Sequence, residues 1–253
     1  MDLDLKDKVA LVTGGSHGLG EAICRGLAAE GVKIAVNYHR NPKIAEKLAR
    51  ELEMIHEVKS IAVEADVSVK TDVCEMFDRV EEELSAVDIL VNNAAVSLTS
   101  DVQDTPQEMW DSTLQINLTG TFLTCQEMVK RLLANGRAGR IINISSVAAF
   151  KGSTSGRAHY DASKGGVISF STSLAREVAP HGITVNVVAP GLMVTKMTAE
   201  RLEKNREKYL ENIPLRRFGE TEEIAHVVVF LASDRASYMT GTTVNVSGGL
   251  LMR

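Results

Sequence analysis

The chain has 253 residues, 44% hydrophobic and 24% charged, with a formal net charge of −5. That length permits a large core in one or two domains, and an acidic chain without any Lys/Arg run argues against a nucleic-acid surface. Cys24, Cys74 and Cys125 are odd in number, scattered and without CxxC spacing, which argues against a disulfide framework or a metal site.

The acidic start "MDLDLKDKVA" lacks the basic and apolar regions of a secretory signal, so a cytoplasmic location is expected. The first strand candidate is "KVALVT" (8–13), which runs through "TGGSHGLG" (13–20) into a helix carrying Leu19, Ala22, Ile23 and Leu27 on one side. Gly31 is placed to end that helix, "KIAVNY" (33–38) reads as the second strand, and Asn41 before Pro42 reads as a helix cap and first turn. "SIAVEA" (60–65) is the third strand, with Ser68 a candidate cap after it, and "DILVNNA" (88–94) the fourth. "TPQE" (105–108) has the pattern of a capping box opening a long helix toward Ala134. "RIINIS" (140–145), "ITVNVVA" (183–189) and "TTVNV" (242–246) complete the strands, with Thr221 a candidate cap before the last. "VVVFLA", the densest apolar run near the C-terminus, is too short to cross a bilayer, so no membrane partner is expected.

Strands apolar nearly throughout, alternating with helices, predict one doubly wound α/β domain over 1–253: a Rossmann-type parallel sheet of seven strands with helices on both faces. The charged, helix-prone stretch 191–218 interrupts the alternation after a strand's carboxyl end, where such sheets bind ligands. It is read as a substrate lid, with an exposed helical excursion as the alternative.

Glycines between a strand and a helix let the backbone turn tightly and approach a pyrophosphate at the helix N-terminus. Further on, "HYDASKGG" (159–166) sets Tyr160 and Lys164 one helical turn apart. Such a pair is ordinarily a surface contact. It becomes a proton donor if the ammonium lowers the pKa of the phenol.

The spacing of Gly14, Gly18 and Gly20 is TGxxxGxG, which resembles the short-chain dehydrogenase/reductase family. The family's other motifs follow in order: "NNAA" (92–95), "NLTGTF" (117–122), "INISS" (142–146), "YDASK" (160–164) and "PGLMVT" (190–195). Ala95 stands where glycine is usual, and the Ser146 to Tyr160 spacing is one residue longer than the commoner one. The resemblance implies a catalytic tetrad of Asn117, Ser146, Tyr160 and Lys164. Tyr160 would transfer the proton, Lys164 would tune it and hold the nicotinamide ribose, Ser146 would stabilise the substrate oxygen, and Asn117 would hold a water of a proton relay. His159 and Asp161 read as neighbours, since no GxSxG elbow supports a hydrolase triad with Ser155.

The resemblance also implies cofactor contacts from Gly14, Ser16, His17, Gly18, Leu19 and Gly20, from Asp66 and Val67 beside the adenine, from Asn93 and Ala94, from Tyr160 and Lys164, and from Pro190, Gly191 and Thr195 around the nicotinamide. The second strand ends "VNYHRNP" with no acid before Glu46, and an acid there would repel a 2′-phosphate. Asn37, His39 and Arg40, with His17, are therefore read as a 2′-phosphate site, favouring NADP(H) over NAD(H). The C-terminal third looks like the 3-oxoacyl-carrier-protein reductases and related ketone reductases and sugar dehydrogenases. The resemblance implies an NADP(H)-dependent oxidoreductase interconverting a ketone and a secondary alcohol, foremost a carbonyl or 3-oxoacyl reductase acting on a small ketone or acyl thioester. The alternatives are a dehydrogenase of a sugar, polyol, steroid or other secondary alcohol and, more distantly, a non-catalytic dinucleotide-sensing protein; the assembly it implies is a homotetramer. His181 stands where a carrier-docking arginine is usual, which weakens the expectation of a carrier partner.

Overall fold

The computed structural model describes residues 2–153, 156–194 and 198–252. Seven strands, β1 (Val9–Val12), β2 (Lys33–Tyr38), β3 (Ser60–Glu64), β4 (Ile89–Asn92), β5 (Gly139–Ile144), β6 (Ile183–Pro190) and β7 (Thr243–Val246), form one parallel sheet. Their order is β3-β2-β1-β4-β5-β6-β7. Every predicted strand is present, its ends shifted by at most two residues.

The helices are α1 (Gly18–Ala29), α2 (Pro42–His56), α3 (Lys70–Glu83), α4 (Gln107–Leu114), α5 (Gly120–Ala134), α6 (Ala148–Lys151), α7 (Ala158–Val178), α8 (Ala199–Lys204), α9 (Arg206–Glu211) and α10 (Thr221–Ala232). Alternate strand residues point to opposite faces, and here both faces are apolar. Ala10 and Val12 pack with Ile23 and Leu27 of α1, Leu48 of α2 and Val228 of α10. Val9 and Leu11 pack on the other face with Phe77 of α3, Met128 of α5 and Leu174 of α7. This two-sided burial is why the strands read as continuous apolar runs.

The predicted helix ends are less well met. Asn41 stands at the N-cap of α2 in the left-handed region (φ 65°) and its side chain makes no capping bond. Thr105 does not cap α4, because its hydroxyl donates back to the carbonyls of Ser100 and Asp101. Ser68 does not cap α3; its hydroxyl donates to the Asp66 carboxylate. Thr221 is the first residue of α10, and the capping box is formed by Glu220 and Glu223. The long helix expected toward Ala134 does end there, but a π-helical segment, Gln115–Thr119, joins α4 to α5. Such insertions shift the backbone bonding register and often mark functional positions.

Connections leave β1 and β4 in opposite directions across the sheet, so their carboxyl ends open a crevice at the switch point. The glycine loop and β5's serines both lie at these carboxyl ends. Among the described residues no helix is long and apolar enough to cross a membrane.

Candidate active site at the carboxyl edge of the sheet

The loop from β1 to α1 is held by side chains from neighbouring strands. Gly14 has φ +59°, and a Cβ there would lie 3.0 Å from the Ala94 Cα. A Cβ on Gly20 would meet the Gly14 carbonyl and the Asn93 amide, so the turn closes only without one. Asn93 donates from Nδ2 to the carbonyls of Thr13 and Gly14, at 3.0 and 3.1 Å. Ser16 is buried, with its hydroxyl 3.1 Å from Nδ1 of His17. His17 is exposed at the N-cap of α1 and makes no side-chain cap, which leaves the first-turn amides of α1 without a side-chain partner. This constellation suits an anionic diphosphate.

Asn37 departs from its expected place beside a 2′-phosphate. Its side chain is buried beneath the loop, where Oδ1 accepts the Gly14 amide at 3.1 Å and Nδ2 donates to the carbonyls of Tyr38, Val63 and Ala65. It braces the loop and has no donor left for a ligand. His39 and Arg40 are exposed beyond β2, with His39 Nε2 3.9 Å from Asp66 Oδ2. Asp66 Oδ1 accepts both the amide and the hydroxyl of Ser68, at 2.9 and 2.6 Å. Burial opposes ionisation of Asp66, but the Ser68 bonds, with His39 and Arg40 nearby, hold its carboxyl below the usual range. Val67 is buried under Gly120.

At the end of β5 the two serines part. Both line the cavity, but Ser145 is buried and its hydroxyl donates to the Lys164 carbonyl at 2.8 Å, whereas the half-buried Ser146 accepts the Ala148 amide at 3.1 Å and keeps its own hydroxyl proton for a ligand. Lys164 is buried, donates from Nζ to the Ile144 carbonyl at 2.8 Å, and lies 5.9 Å from the Tyr160 ring centroid. Burial pushes its ammonium down to about 8. Asn117 lies in the π segment, fully buried. Its Nδ2 donates to the Val96 carbonyl and the Ser163 hydroxyl, and its Oδ1 accepts the Val96 amide. Its side-chain amide is thus engaged within the protein.

Ser146, Tyr160 and Lys164 line one cavity of about 560 Å³ together with Leu19, Asn93, Pro190 and Gly191. Leu192, Met193, Leu202, Lys208 and Tyr209 form another wall, drawn from the segment read as a lid. That segment packs on its own small core of Leu202, Ile213 and Phe218. Thr195, expected at the nicotinamide, and Ser155 lie outside the described residues. Ala95 also lines the cavity and does not have a positive φ, so glycine is not required there. His159 is buried near Trp110 and Val102, away from that cavity, and Asp161 accepts the amide and hydroxyl of Ser153.

Sequence reasoning missed Arg157. Its guanidinium carbon lies 5.5 Å from the Tyr160 ring centroid, and Nη2 donates to the Ser153 hydroxyl at 3.2 Å. An arginine three residues before the tyrosine, one helical turn away, was the available signal.

Residues 14–251 match a family model described as enoyl-(acyl carrier protein) reductase. The chain is 42% identical over 246 residues to a 3-oxoacyl-(acyl-carrier-protein) reductase of Staphylococcus epidermidis, covering 97% of this chain and 100% of the relative. It is 40% identical over 250 residues to the reductase of the same name from Aquifex aeolicus, covering 99% and 100%. Among solved structures, a short-chain type dehydrogenase/reductase from Mycobacterium marinum superposes with a TM-score of 0.94 at 32% identity, covering 100% of this chain and 98% of the other.

Proposed function

The chain belongs to the short-chain dehydrogenase/reductase family and is an NAD(P)-dependent oxidoreductase acting on alcohol and ketone groups, and on that premise we propose that it reduces a small ketone or 3-oxoacyl thioester with NADPH. The observation that carries this reading is the convergence of Ser146, Tyr160 and Lys164 on one cavity that also reaches Leu19 of the glycine turn. The names of the relatives from Staphylococcus epidermidis and Aquifex aeolicus support the 3-oxoacyl assignment.

The glycine cradle and the uncapped start of α1 fit a dinucleotide. When bound, the cofactor supplies the hydride that the carbonyl carbon accepts. Ser146 donates its hydroxyl to the substrate oxygen, stabilising the charge that develops there. Tyr160 gives that oxygen its proton. Lys164, near the phenol and buried, favours the phenolate left behind and binds the nicotinamide ribose. The Asn117 side chain fixes the loop after β4 at Val96 and bonds the Ser163 hydroxyl, which in turn donates to the Tyr160 carbonyl. His39, Arg40 and His17 form the 2′-phosphate site and favour NADP(H), and Asp66 and Val67 border the adenine.

Gly191 to Phe218 acts as a lid that dries the cavity over the substrate. Location in the cytoplasm and a homotetramer complete the reading. α4 and α5 leave Trp110, Phe122 and Leu133 exposed, as subunit contacts require. The test is a turnover screen of ketones, 3-oxoacyl and enoyl thioesters and secondary alcohols with both cofactors. NADPH-dependent reduction of ketones is expected, whereas turnover restricted to alcohol oxidation with NAD or to enoyl reduction contradicts it.

A further inference from the structure

Among the described residues, the cavity walls carry Lys151, Arg157, Lys164 and Lys208 and no Asp or Glu. Lys164 belongs to the reacting centre, and solvated lysines such as Lys151 and Lys208 are ordinary at a rim. Arg157 differs from the paired arginines of the chain in lining the cavity. Arg25, Arg131, Arg137 and Arg217 each hold a carboxylate at 2.9 Å or less. Among the described residues, Arg157 has no carboxylate within ion-pair distance: it donates to Ser153 Oγ at 3.2 Å and Ser97 Oγ at 3.5 Å and lies over the Tyr160 ring, while its Nε is buried without a hydrogen-bond partner.

This placement costs stability in two ways. A buried N–H without an acceptor forfeits its hydration. Arg157 also occupies the N-cap of the 21-residue α7, putting a cation at the positive end of the helix. The nearby acid, Asp161, is reached only through Ser153, whose hydroxyl accepts from Arg157 and donates to the Asp161 carboxylate at 2.9 Å, so no direct ion pair forms. Arg157 is thus a cation on the cavity wall that no carboxylate among the described residues pairs with, as a site for an anionic ligand requires.

The planar fork of arginine matches a carboxylate bidentately. With the guanidinium 5.5 Å from the Tyr160 ring, a paired anion lies only a few bonds from a carbonyl that takes its proton from Tyr160. The phosphate of a pantetheine thioester is separated from its ketone by the whole pantetheine arm and does not meet that condition. Resting on the carbonyl-reductase reading, we propose that the preferred substrate is a short oxo acid. Its own carboxylate binds Arg157, with Lys151 and Lys208 at the rim, while its ketone faces Ser146 and Tyr160.

The experiment measures kcat/KM for oxo acids of increasing carbonyl-to-carboxylate spacing, each beside its methyl ester, and for a 3-oxoacyl pantetheine with and without its phosphate. At the best spacing the wild type is expected to prefer acid over ester roughly ten- to hundredfold. The ratio should fall to about one in Arg157→Gln and be partly kept in Arg157→Lys. The ratio is internal to each variant, so a general loss of folding does not imitate it. Esters used as well as acids, an unchanged ratio in Arg157→Gln, or an Arg157-dependent preference confined to the phosphorylated thioester each overturn the proposal. Calorimetric binding of the oxo acid and its ester to the protein saturated with oxidised cofactor reads the same ratio without chemistry. Arg157-dependent binding without turnover of any ketone removes the reductase reading and keeps the carboxylate site. Turnover of ketones without an acid preference removes the site and keeps the reading.

Discussion

Lys164 is a cation buried beside Tyr160, and its titration reports on the site. Burial lowers its pKa from 10.5 to about 8. Between those values the unfolded chain holds a proton that the folded one has released, so stability rises with pH across that window. Lys164→Met should lack that rise in denaturant titrations compared with the wild type, and it should be inactive. Equal pH dependence of the two proteins contradicts the assignment. Ser146→Ala is expected to lower kcat about 10²- to 10³-fold with little change in cofactor affinity, whereas Ser145→Ala acts through stability, since its hydroxyl holds the Lys164 carbonyl. That Ser146, Tyr160 and Lys164 share one cavity was legible because their spacing and order match a family pattern. Arg157 was not, because its meaning depends on the lack of a carboxylate partner, and only three-dimensional neighbours reveal that.

Strands were legible as elements because both faces of the sheet are covered, which leaves runs such as "ITVNVV" apolar throughout. Caps were not legible, because a Ser or Thr hydroxyl has competing partners. Thr105 turns to the Ser100 and Asp101 carbonyls and Ser68 to Asp66. Asn37 was misread for a related reason: a polar residue at the end of β2 looks like a ligand contact, yet four backbone groups hold its side chain under the glycine loop. Asn37→Ala leaves the Gly14 amide without this acceptor, so it is expected to cost about 1–3 kcal/mol by chemical denaturation and to weaken NADPH and NADH binding alike. A selective loss of NADPH binding with unchanged stability contradicts the bracing role.

The whole molecule is a parallel sheet whose switch point sets the glycine loop and Tyr160 at one edge. In the proposed function, cofactor choice is a property of that edge's outer end, where His39 and Arg40 are exposed. Arg40→Ala is expected to lower kcat/KM for NADPH about tenfold or more while leaving that for NADH within about twofold; equal losses with both contradict the 2′-phosphate reading. The central claim is that the ketone receives its proton from Tyr160, and the most direct measurement is ketone-dependent NADPH oxidation by Tyr160→Phe, with cofactor affinity followed by nicotinamide fluorescence. The account predicts a loss in kcat of about 10²-fold or more with cofactor affinity retained, and near-native turnover by this variant would contradict it.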